Sequence, residues 1–192
     1  MVADRRQAIL DAALQAFTES GTAAATVDDV RRLSGASVGS IYHHFGDKEG
    51  LAVALYVEGL RSYQEGFLAV LERKREAERG VRALVRHHLR WVAAHPDLAR
   101  LLLAGAPPGA AERLEPLNRE LFSATSAWFR RQADTGAIRS LPRDLLYAVL
   151  VGPAQEFCRH WLAGRVQSSM RTAERVLAQA AWDALRRPEG DD

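Results

Sequence analysis

The stretch that decides the fold is residues 26–51, which read TVDDVRRLSGASVGSIYHHFGDKEGL. Thr26 can cap a helix, and Asp29, three positions later, can return the bond in the reciprocal arrangement called a capping box. That helix should end at Gly35, because glycine tolerates a left-handed backbone. Ser37 can then cap a second short helix. Two short helices joined by a tight turn that contains glycine predict a helix-turn-helix, whose second helix enters the DNA major groove.

The same stretch resembles the DNA-binding motif of the TetR family of transcriptional regulators. The matching positions, which run without a gap, are Thr26, Val27, Asp29, Val30, Gly35, Ser37, Gly39, Ile41, Tyr42, His43, Phe45, Lys48, Glu49 and Leu51. Four positions depart from the family's usual pattern. The family usually has alanine where this chain has Arg31, Leu33 and Ser34, and valine where it has Ala36. The resemblance weakens after Leu51.

The resemblance implies two functional parts. Residues 1–46 would form the helix-turn-helix DNA-binding domain, and residues 47–192 a helical bundle for ligand binding and dimerisation. The residues expected to meet double-stranded DNA are Thr26, Ser37, Val38, Gly39, Ser40, Tyr42, His43 and Lys48. Val38 would touch a thymine methyl group, Ser40 would bond a base edge and Tyr42, as in the family, would contact a phosphate through its hydroxyl.

The net charge of the chain does not by itself indicate a nucleic-acid partner. The 192 residues include 26 basic and 24 acidic side chains, for a net charge of +2, and the first fifty carry five basic and seven acidic ones. The position of each charge must therefore matter more than the total. The single cysteine, Cys158, excludes an intramolecular disulfide and suits a reducing cytosol. No apolar run approaches ~18 residues and no signal-peptide core is evident, so we expect a cytoplasmic protein.

Apolar residues recur at helical spacing along the rest of the chain, and no convincing alternating strand pattern is found. Helices are predicted over residues 5–20, from Asp47 to about Arg79, from Val81 to just before Pro96, over residues 97–104, from near Pro116 to Gly136, onward from Pro142, and over residues 172–187. The predicted fold class is all-α, with an N-terminal three-helix domain and a C-terminal helical bundle.

The bundle faces offer candidates for an effector site, since pockets between helices are mainly apolar with a few polar groups. The candidates are Tyr63, Phe67, His88, Trp91, Phe122, Thr125, Trp128, Phe129 and Cys158. Ordinary core packing would explain the same residues. His88 is the most informative of them, because it falls on the apolar stripe of its helix. The aromatic content points to a small apolar or aromatic effector.

The last two long helices are the candidates for a homodimer interface. They offer large and small residues that suit close packing, namely Val149, Gly152, Phe157 and His160 on one helix and Val176, Ala180, Ala181 and Ala184 on the other. The alternative is an intramolecular helical hairpin without a partner. By resemblance, two such helices from each subunit form a four-helix bundle about a two-fold axis, and this symmetry predicts a roughly palindromic operator.

The predicted function is a ligand-responsive transcriptional regulator, most simply a repressor that its effector releases from DNA. An activator or a constitutive DNA binder would carry the same motif, and a helix-turn-helix can also serve protein contacts. An enzyme is not expected. Residues 35–39, GASVG, fit the G-x-S-x-G nucleophile elbow, but that motif needs a preceding strand. Neither a metal site nor a cofactor is predicted, because the adjacent pair His43-His44 lacks the spacing of helical metal ligands.

Overall fold

A computed structural model describes residues 2–188, with side chains from residue 5 onward. Over this range the chain forms α1 (Val2–Ser20), α2 (Val27–Ser34), α3 (Val38–Phe45), α4 (Lys48–Arg73), α5 (Ala77–Ala94), α6 (Pro96–Ala104), α7 (Ala111–Asp134), α8 (Arg143–Leu162) and α9 (Met170–Leu185). Ile138 and Arg186 form an isolated antiparallel bridge, and no strand occurs among these residues. The all-α prediction is confirmed. None of the helices in this range is long and apolar enough to cross a membrane.

The helices divide between two compact units. The first unit runs as far as Arg61 and includes Asp97–Glu115, and the second comprises Ser62–Pro96 and the chain from Pro116. α4 and α7 therefore contribute residues to both units. The first turns of α4 belong to the unit that holds α2 and α3. The functional division after residue 46 stays a prediction, since compactness does not report which residues bind DNA.

The first unit is built on the amphipathic face of α1. α1 packs on α2, and α2 packs on α3. Ile9, Ala13 and Leu10 are almost wholly buried, as are Val30 of α2 and Ile41 of α3. Each large aliphatic side chain buried in this way contributes roughly 1.5–3 kcal/mol relative to an exposed one. One shared core thus holds the two helices of the predicted DNA-binding motif.

The second unit is organised around α5, which packs on α8 and α9, while α8 also packs on α9. The inward side of α5 recurs at helical spacing and comprises Ala77, Gly80, Val81, Leu84, Val85, His88, Leu89, Trp91 and Val92. This is the apolar stripe that the sequence predicted for the helix before Pro96. His88 lies on it as expected.

The prediction that one helix runs from Asp47 to about Arg79 is wrong. α4 ends at Arg73, and Glu76 has an extended backbone with φ −83° and ψ 133° before α5 begins at Ala77. Two side chains of α7 satisfy the carbonyl groups that this break frees. The Trp128 indole donates to the Lys74 carbonyl oxygen at 2.7 Å, and the Gln132 amide donates to that of Arg75 at 2.9 Å.

The start of α7 also differs from the prediction. The helix begins at Ala111, five residues before Pro116, and the Arg113 and Leu114 amides donate to the Ala110 carbonyl oxygen. Pro116 therefore lies inside the helix. At this sixth helical position its fixed φ suits the helix, but it cannot donate the backbone hydrogen bond that other residues make there.

Candidate functional site

The start of α2 has the capping box that the sequence predicted. Thr26 is extended, with φ −118° and ψ 161°, and its Oγ1 accepts a hydrogen bond from the Asp29 amide at 3.2 Å. In return the Thr26 amide donates to Asp29 Oδ2 at 2.9 Å. These bonds from Thr26, followed by that from Arg32, lower the pKa of Asp29 to about 2. The cap holds the first turn of α2 at any physiological pH.

The turn between α2 and α3 is equally well determined. Gly35 adopts a left-handed backbone with φ +66°, and its amide donates to the Arg31 carbonyl oxygen at 3.0 Å. Ser34 Oγ accepts from the Ala36 amide at 3.2 Å, and Ser37 Oγ accepts from the Ser40 amide at 3.1 Å. Each residue between the two helices therefore has a local hydrogen bond or a buried side chain. The turn sets the angle at which α3 leaves α2.

α3 presents a face of small and exposed residues. Val38 and Tyr42, one helical turn apart, are 41% and 49% exposed, whereas Ile41 is buried in the core. No atom of another residue lies near the place where a side chain at Gly39 would begin. Ser40 is half-buried and His43 is exposed. The side chains on this face are small enough for the helix backbone to lie close to base edges in a major groove.

Carboxylates accompany the basic groups near this face. Arg31 bonds Asp28 at 2.7 Å, and Arg32 bonds Asp29. Lys48 Nζ donates to the Ala23 carbonyl oxygen at 2.9 Å. Such exposed ion pairs contribute little stability, so phosphates could compete for these cations. The Asp28 carboxylate is exposed on the same helix, and its negative charge would repel a phosphate there.

Arg6 of α1 is held against the rest of the first unit. Its guanidinium lies 2.9 Å from Glu58 Oε1 and 5.5 Å from the centre of the Phe45 ring. The cation and the aromatic face attract each other, which orients the arginine over the end of α3.

The second unit gathers four of the predicted effector-site residues in one cluster. The Tyr63 hydroxyl and His88 Nδ1 are 3.0 Å apart, and the rings of Phe67 and Trp91 lie 6.1 Å and 5.5 Å from that of Tyr63, centre to centre. All four side chains are buried. We call Tyr63, Phe67, His88 and Trp91 the aromatic cluster. It places two hydrogen-bonding groups among aromatic rings, a composition that is common in ligand sites.

Burial keeps the titratable groups of this region uncharged. Desolvation, with a smaller contribution from His87, lowers the pKa of His88 to about 4, and burial raises the pKa of Tyr63 well above its ordinary value. Burial also raises the pKa of the Cys158 thiol to about 12. Cys158 is therefore a neutral core thiol at pH 7, and it lacks the thiolate character that reactive cysteines need.

The other predicted effector residues are spread along the second unit. Trp128 and Phe129 are buried in edge-to-face contact, with ring centres 4.9 Å apart, and Trp128 packs against Gly80. Gly80 precedes His88 by eight residues, about 12 Å along the helix axis. Phe122 is exposed beneath the Arg143 guanidinium, 5.4 Å from its ring centre, and Thr125 is half-buried. Whether any of these residues binds an effector stays a prediction.

Sequence reasoning did not select three neighbours of the aromatic cluster. Trp91 donates its indole N–H to Ser62 Oγ at 3.2 Å, and His87 Nε2 lies 2.9 Å from the Tyr63 carbonyl oxygen. Tyr147 of α8 lies near enough to Tyr63 to add to the rise in its pKa that burial causes. Adjacency to His88 could have drawn attention to His87, but no local pattern connects Ser62 or Tyr147 to this site.

The predicted dimer residues are mostly accessible in the single chain. Val176 is 48% exposed, Ala180 and Ala184 are exposed, and the four candidates on α8 are half-buried. Ala181, in contrast, is 5% exposed because it packs inside its own chain. The dimer interface stays a prediction.

Known proteins provide an independent test of the class that this geometry suggests. The chain is 34% identical over 158 residues to the HTH-type transcriptional repressor Rv1474c of Mycobacterium tuberculosis, across 78% of each chain. It is 31% identical over 180 residues to the HTH-type transcriptional repressor AcnR of Corynebacterium diphtheriae, across 90% of this chain and 87% of the relative. Similarity of this extent identifies a DNA-binding transcriptional regulator.

The family can be stated as well. Residues 9–55 match the model of the bacterial regulatory proteins, tetR family. This chain belongs to the TetR family. FadR of Bacillus halodurans, a fatty acid degradation regulator, has the same fold with a TM-score of 0.78 over 94% of this chain and all of its own, at 19% identity. Family membership also answers the question of enzymatic activity, since these proteins are regulators that bind DNA.

Proposed function

We propose that this protein is a cytoplasmic, homodimeric repressor that binds a roughly palindromic operator and is released from it by a small apolar or aromatic molecule. The observation that carries the DNA half of the proposal is the face of α3, where Val38, Gly39 and Tyr42 are open to solvent on a helix whose angle is set by a hydrogen-bonded turn. The two relatives named as repressors support the sign of regulation.

Each residue on the exposed face of α3 would make a particular contact with DNA. Val38 would contact a thymine methyl group, Ser40 a base edge, and the Tyr42 hydroxyl a phosphate. His43 would donate to a phosphate or a base. Thr26 and Lys48 flank helix starts, whose amide groups and positive dipole ends attract phosphate, and Ser37 caps α3 itself.

The effector half of the proposal is supported by the aromatic cluster. Its buried aromatic rings favour an apolar ligand. The structure of FadR of Bacillus subtilis was solved in complex with stearoyl-CoA. It matches this chain with a TM-score of 0.80 at 17% identity, and the match covers 93% of this chain and 98% of the FadR chain. This likeness concerns the fold alone, but it supports the idea that such a bundle can accept a lipophilic molecule.

α4 is the natural connection between effector and DNA. The helix is continuous from Lys48 to Arg73, so Lys48 at its start and Tyr63 further along belong to one element. An effector that binds better to a dimer with misplaced α3 helices must weaken DNA binding by the same free energy, typically ~1–3 kcal/mol.

Dimerisation would follow from α8 and α9. Val176, Ala180 and Ala184 form an accessible row on α9, with spacings of four residues. A two-fold axis through paired α8 and α9 helices would present two copies of α3 to successive major grooves about 34 Å apart. The operator would then be a palindrome with half-sites one helical turn apart.

A gel-shift titration on the DNA that flanks the protein's own gene tests the DNA half. We would compare wild type with Tyr42→Phe and with a matched control, Tyr147→Phe, since both tyrosines are exposed and both variants lose only a hydroxyl. Loss of one hydrogen bond to a phosphate should weaken operator binding about 10- to 100-fold in Tyr42→Phe. Binding should weaken steeply with salt, with the same slope in both variants, because no charge is removed.

Two results would count against this proposal. One is an equal effect of both tyrosine variants, and the other is binding that ignores DNA sequence and salt. The sign of regulation needs a separate measurement, because an activator or a constitutive binder could carry the same helix-turn-helix. Deletion of the gene should raise transcription of the operator-controlled genes if the protein is a repressor.

A further inference from the structure

We propose that the effector of this protein is an uncharged molecule with a carbonyl-type oxygen, and that the Nε2–H group of His88 donates a hydrogen bond to that oxygen. The inference rests on the ligand response proposed above and specifies its chemistry. It also assigns His88 as the polar anchor of a site whose other walls are aromatic.

Three buried side-chain atoms of the described residues have no hydrogen-bond partner, namely Arg82 Nε, His88 Nε2 and Thr125 Oγ1, and His88 is the one that belongs to the aromatic cluster. The buried polar side chains in the described part of the chain are Gln64, His88 and Gln132. Gln64 donates to Asn118 Oδ1 at 3.0 Å, and Gln132 donates to a backbone carbonyl oxygen. His88 is 6% exposed, and its Nε2 is fully buried without a hydrogen-bond partner. Leaving such a group unpaired is costly, so a buried partner is expected.

The tautomer of His88 follows from its contact with Tyr63. The Tyr63 hydroxyl is a buried donor, and His88 Nδ1, at 3.0 Å, is the acceptor it has. A neutral imidazole carries its one proton on either nitrogen. If Nδ1 accepts from Tyr63, the proton must be on Nε2. Because burial lowers the pKa of His88 to about 4, the ring remains neutral at pH 7. The free group is therefore an N–H donor, which requires an acceptor.

The surroundings select an uncharged acceptor over a charged one. No Asp, Glu, Lys or Arg is among the buried side chains of the described residues. The rings packed around Tyr63, the partner of His88, are those of Phe67, Trp91 and half-buried His87, and burial lowers the pKa of His87 as well. Tyr147 and Cys158 of α8 are kept neutral by raised pKa values. A carboxylate or ammonium group buried here would lose its hydration without a counter-charge.

The same contact connects the effector to α4. Tyr63 belongs to α4, and its hydroxyl holds the imidazole ring that would bind the carbonyl. An effector that moves His88 must therefore move or break the bond from Tyr63. This gives the ligand a physical route to the helix that begins at Lys48.

The test uses the full-length protein with ¹⁵N-labelled histidine. NMR of the imidazole nitrogens first reads the tautomer, which should be Nε2–H for His88. We then titrate with a matched set of probes: benzylacetone, butylbenzene, phenylbutylamine and the carboxylate phenylbutyrate, together with shorter and longer members of each series. The ketones should shift the His88 Nε2–H resonance and should bind roughly tenfold more tightly than the alkylbenzenes of equal size.

Two variants separate a specific donor from a generally apolar site. His88→Leu keeps a buried side chain of similar volume but removes the N–H donor. The ketone and alkylbenzene probes should therefore bind to this variant equally well. Tyr63→Phe removes the bond that sets the tautomer, so the preference for ketones should fall while the apolar probes still bind. His44→Gln, in α3 of the first unit, is the control, and it should keep the wild-type preference.

The outcomes distinguish this inference from the proposed function. If ketones release DNA equally from wild type and His88→Leu, the ligand response stands and the assignment of His88 is overturned. If ketones shift His88 and leave operator affinity unchanged, the site stands and the ligand response fails. Absence of any shift at His88 with the whole ketone series, or a proton on Nδ1, would overturn the inference and leave a buried water as the partner of Nε2.

Discussion

Gly80→Ala is the sharpest test of the packing in the second unit. A methyl group at this position would come within 2.3 Å of Trp128 Cζ2 and 2.6 Å of Cη2. Ordinary van der Waals contact begins about 1 Å further out. The indole cannot withdraw easily, because Trp128 is 1% exposed and its N–H donates to the Lys74 carbonyl oxygen at 2.7 Å.

The magnitude follows from two opposing effects. Overpacking a well-packed core costs typically 1–3 kcal/mol, and a rigid, hydrogen-bonded ring should put this site at the upper end. Replacing glycine by alanine inside a helix contributes about 1 kcal/mol in the other direction. The net loss of unfolding free energy should be about 2 kcal/mol. For a chain of this size, that corresponds to a fall in Tm of about 4–8 °C.

Urea unfolding followed by tryptophan fluorescence would measure this loss. The matched control is Gly39→Ala in α3, where a new methyl group meets nothing within 4 Å outside its own helix and helix propensity alone should raise stability slightly. A second cycle with Trp128→Phe adds a specific signature, because the smaller ring should relieve part of the Gly80→Ala cost. The reasoning is refuted if Gly80→Ala is as stable as the control, or if the two substitutions are additive.

Three further predictions concern caps, protons and charges. Thr26→Val removes the side-chain cap of α2 and should lower the unfolding free energy by about 1 kcal/mol in urea titrations, while Thr26→Ser should not. Because the folded-state pKa of His88, about 4, lies below its ordinary 6.5, the unfolded chain binds more protons between these values. Stability should therefore fall as pH drops from 6.5 to 4, by at most about 3 kcal/mol, and His88→Leu should flatten that part of the pH profile. Asp28→Asn frees Arg31 and removes a phosphate-repelling charge, so operator affinity in a gel shift should rise a few-fold at low salt, and an unchanged affinity would mean that neither side chain is near DNA.

Much of the DNA-binding motif was predictable because its determinants are local. The bonds that cap α2 and α3 join residues three apart, and the left-handed residue between the helices is the glycine that such a turn requires. The inward stripe of α5 was predictable for a similar reason, since helical periodicity alone reveals it. Val38 shows the limit of periodicity, because it is as apolar as the buried Ile41 and its exposure was expected only from the family resemblance, which placed it against DNA.

Other features depended on residues far apart in the sequence. The end of α4 was misplaced because charged residues 72–79 are good helix formers, whereas the break after Arg73 is stabilised by side chains of α7 more than fifty residues later. Likewise, no sequence pattern indicated that Tyr63 would meet His88 or that Phe122 would be exposed.

The sequence by itself determined the class of this protein, since the helix-turn-helix is specified by caps and a turn whose hydrogen bonds span only a few residues. Only the tertiary structure decided which of the predicted effector residues come together, where α4 ends, and that the Tyr63 hydroxyl is the partner of His88 Nδ1. The physical reason is the range of the interactions. Local hydrogen bonds depend on neighbouring residue types, whereas burial and long-range partners depend on which helices pack against each other.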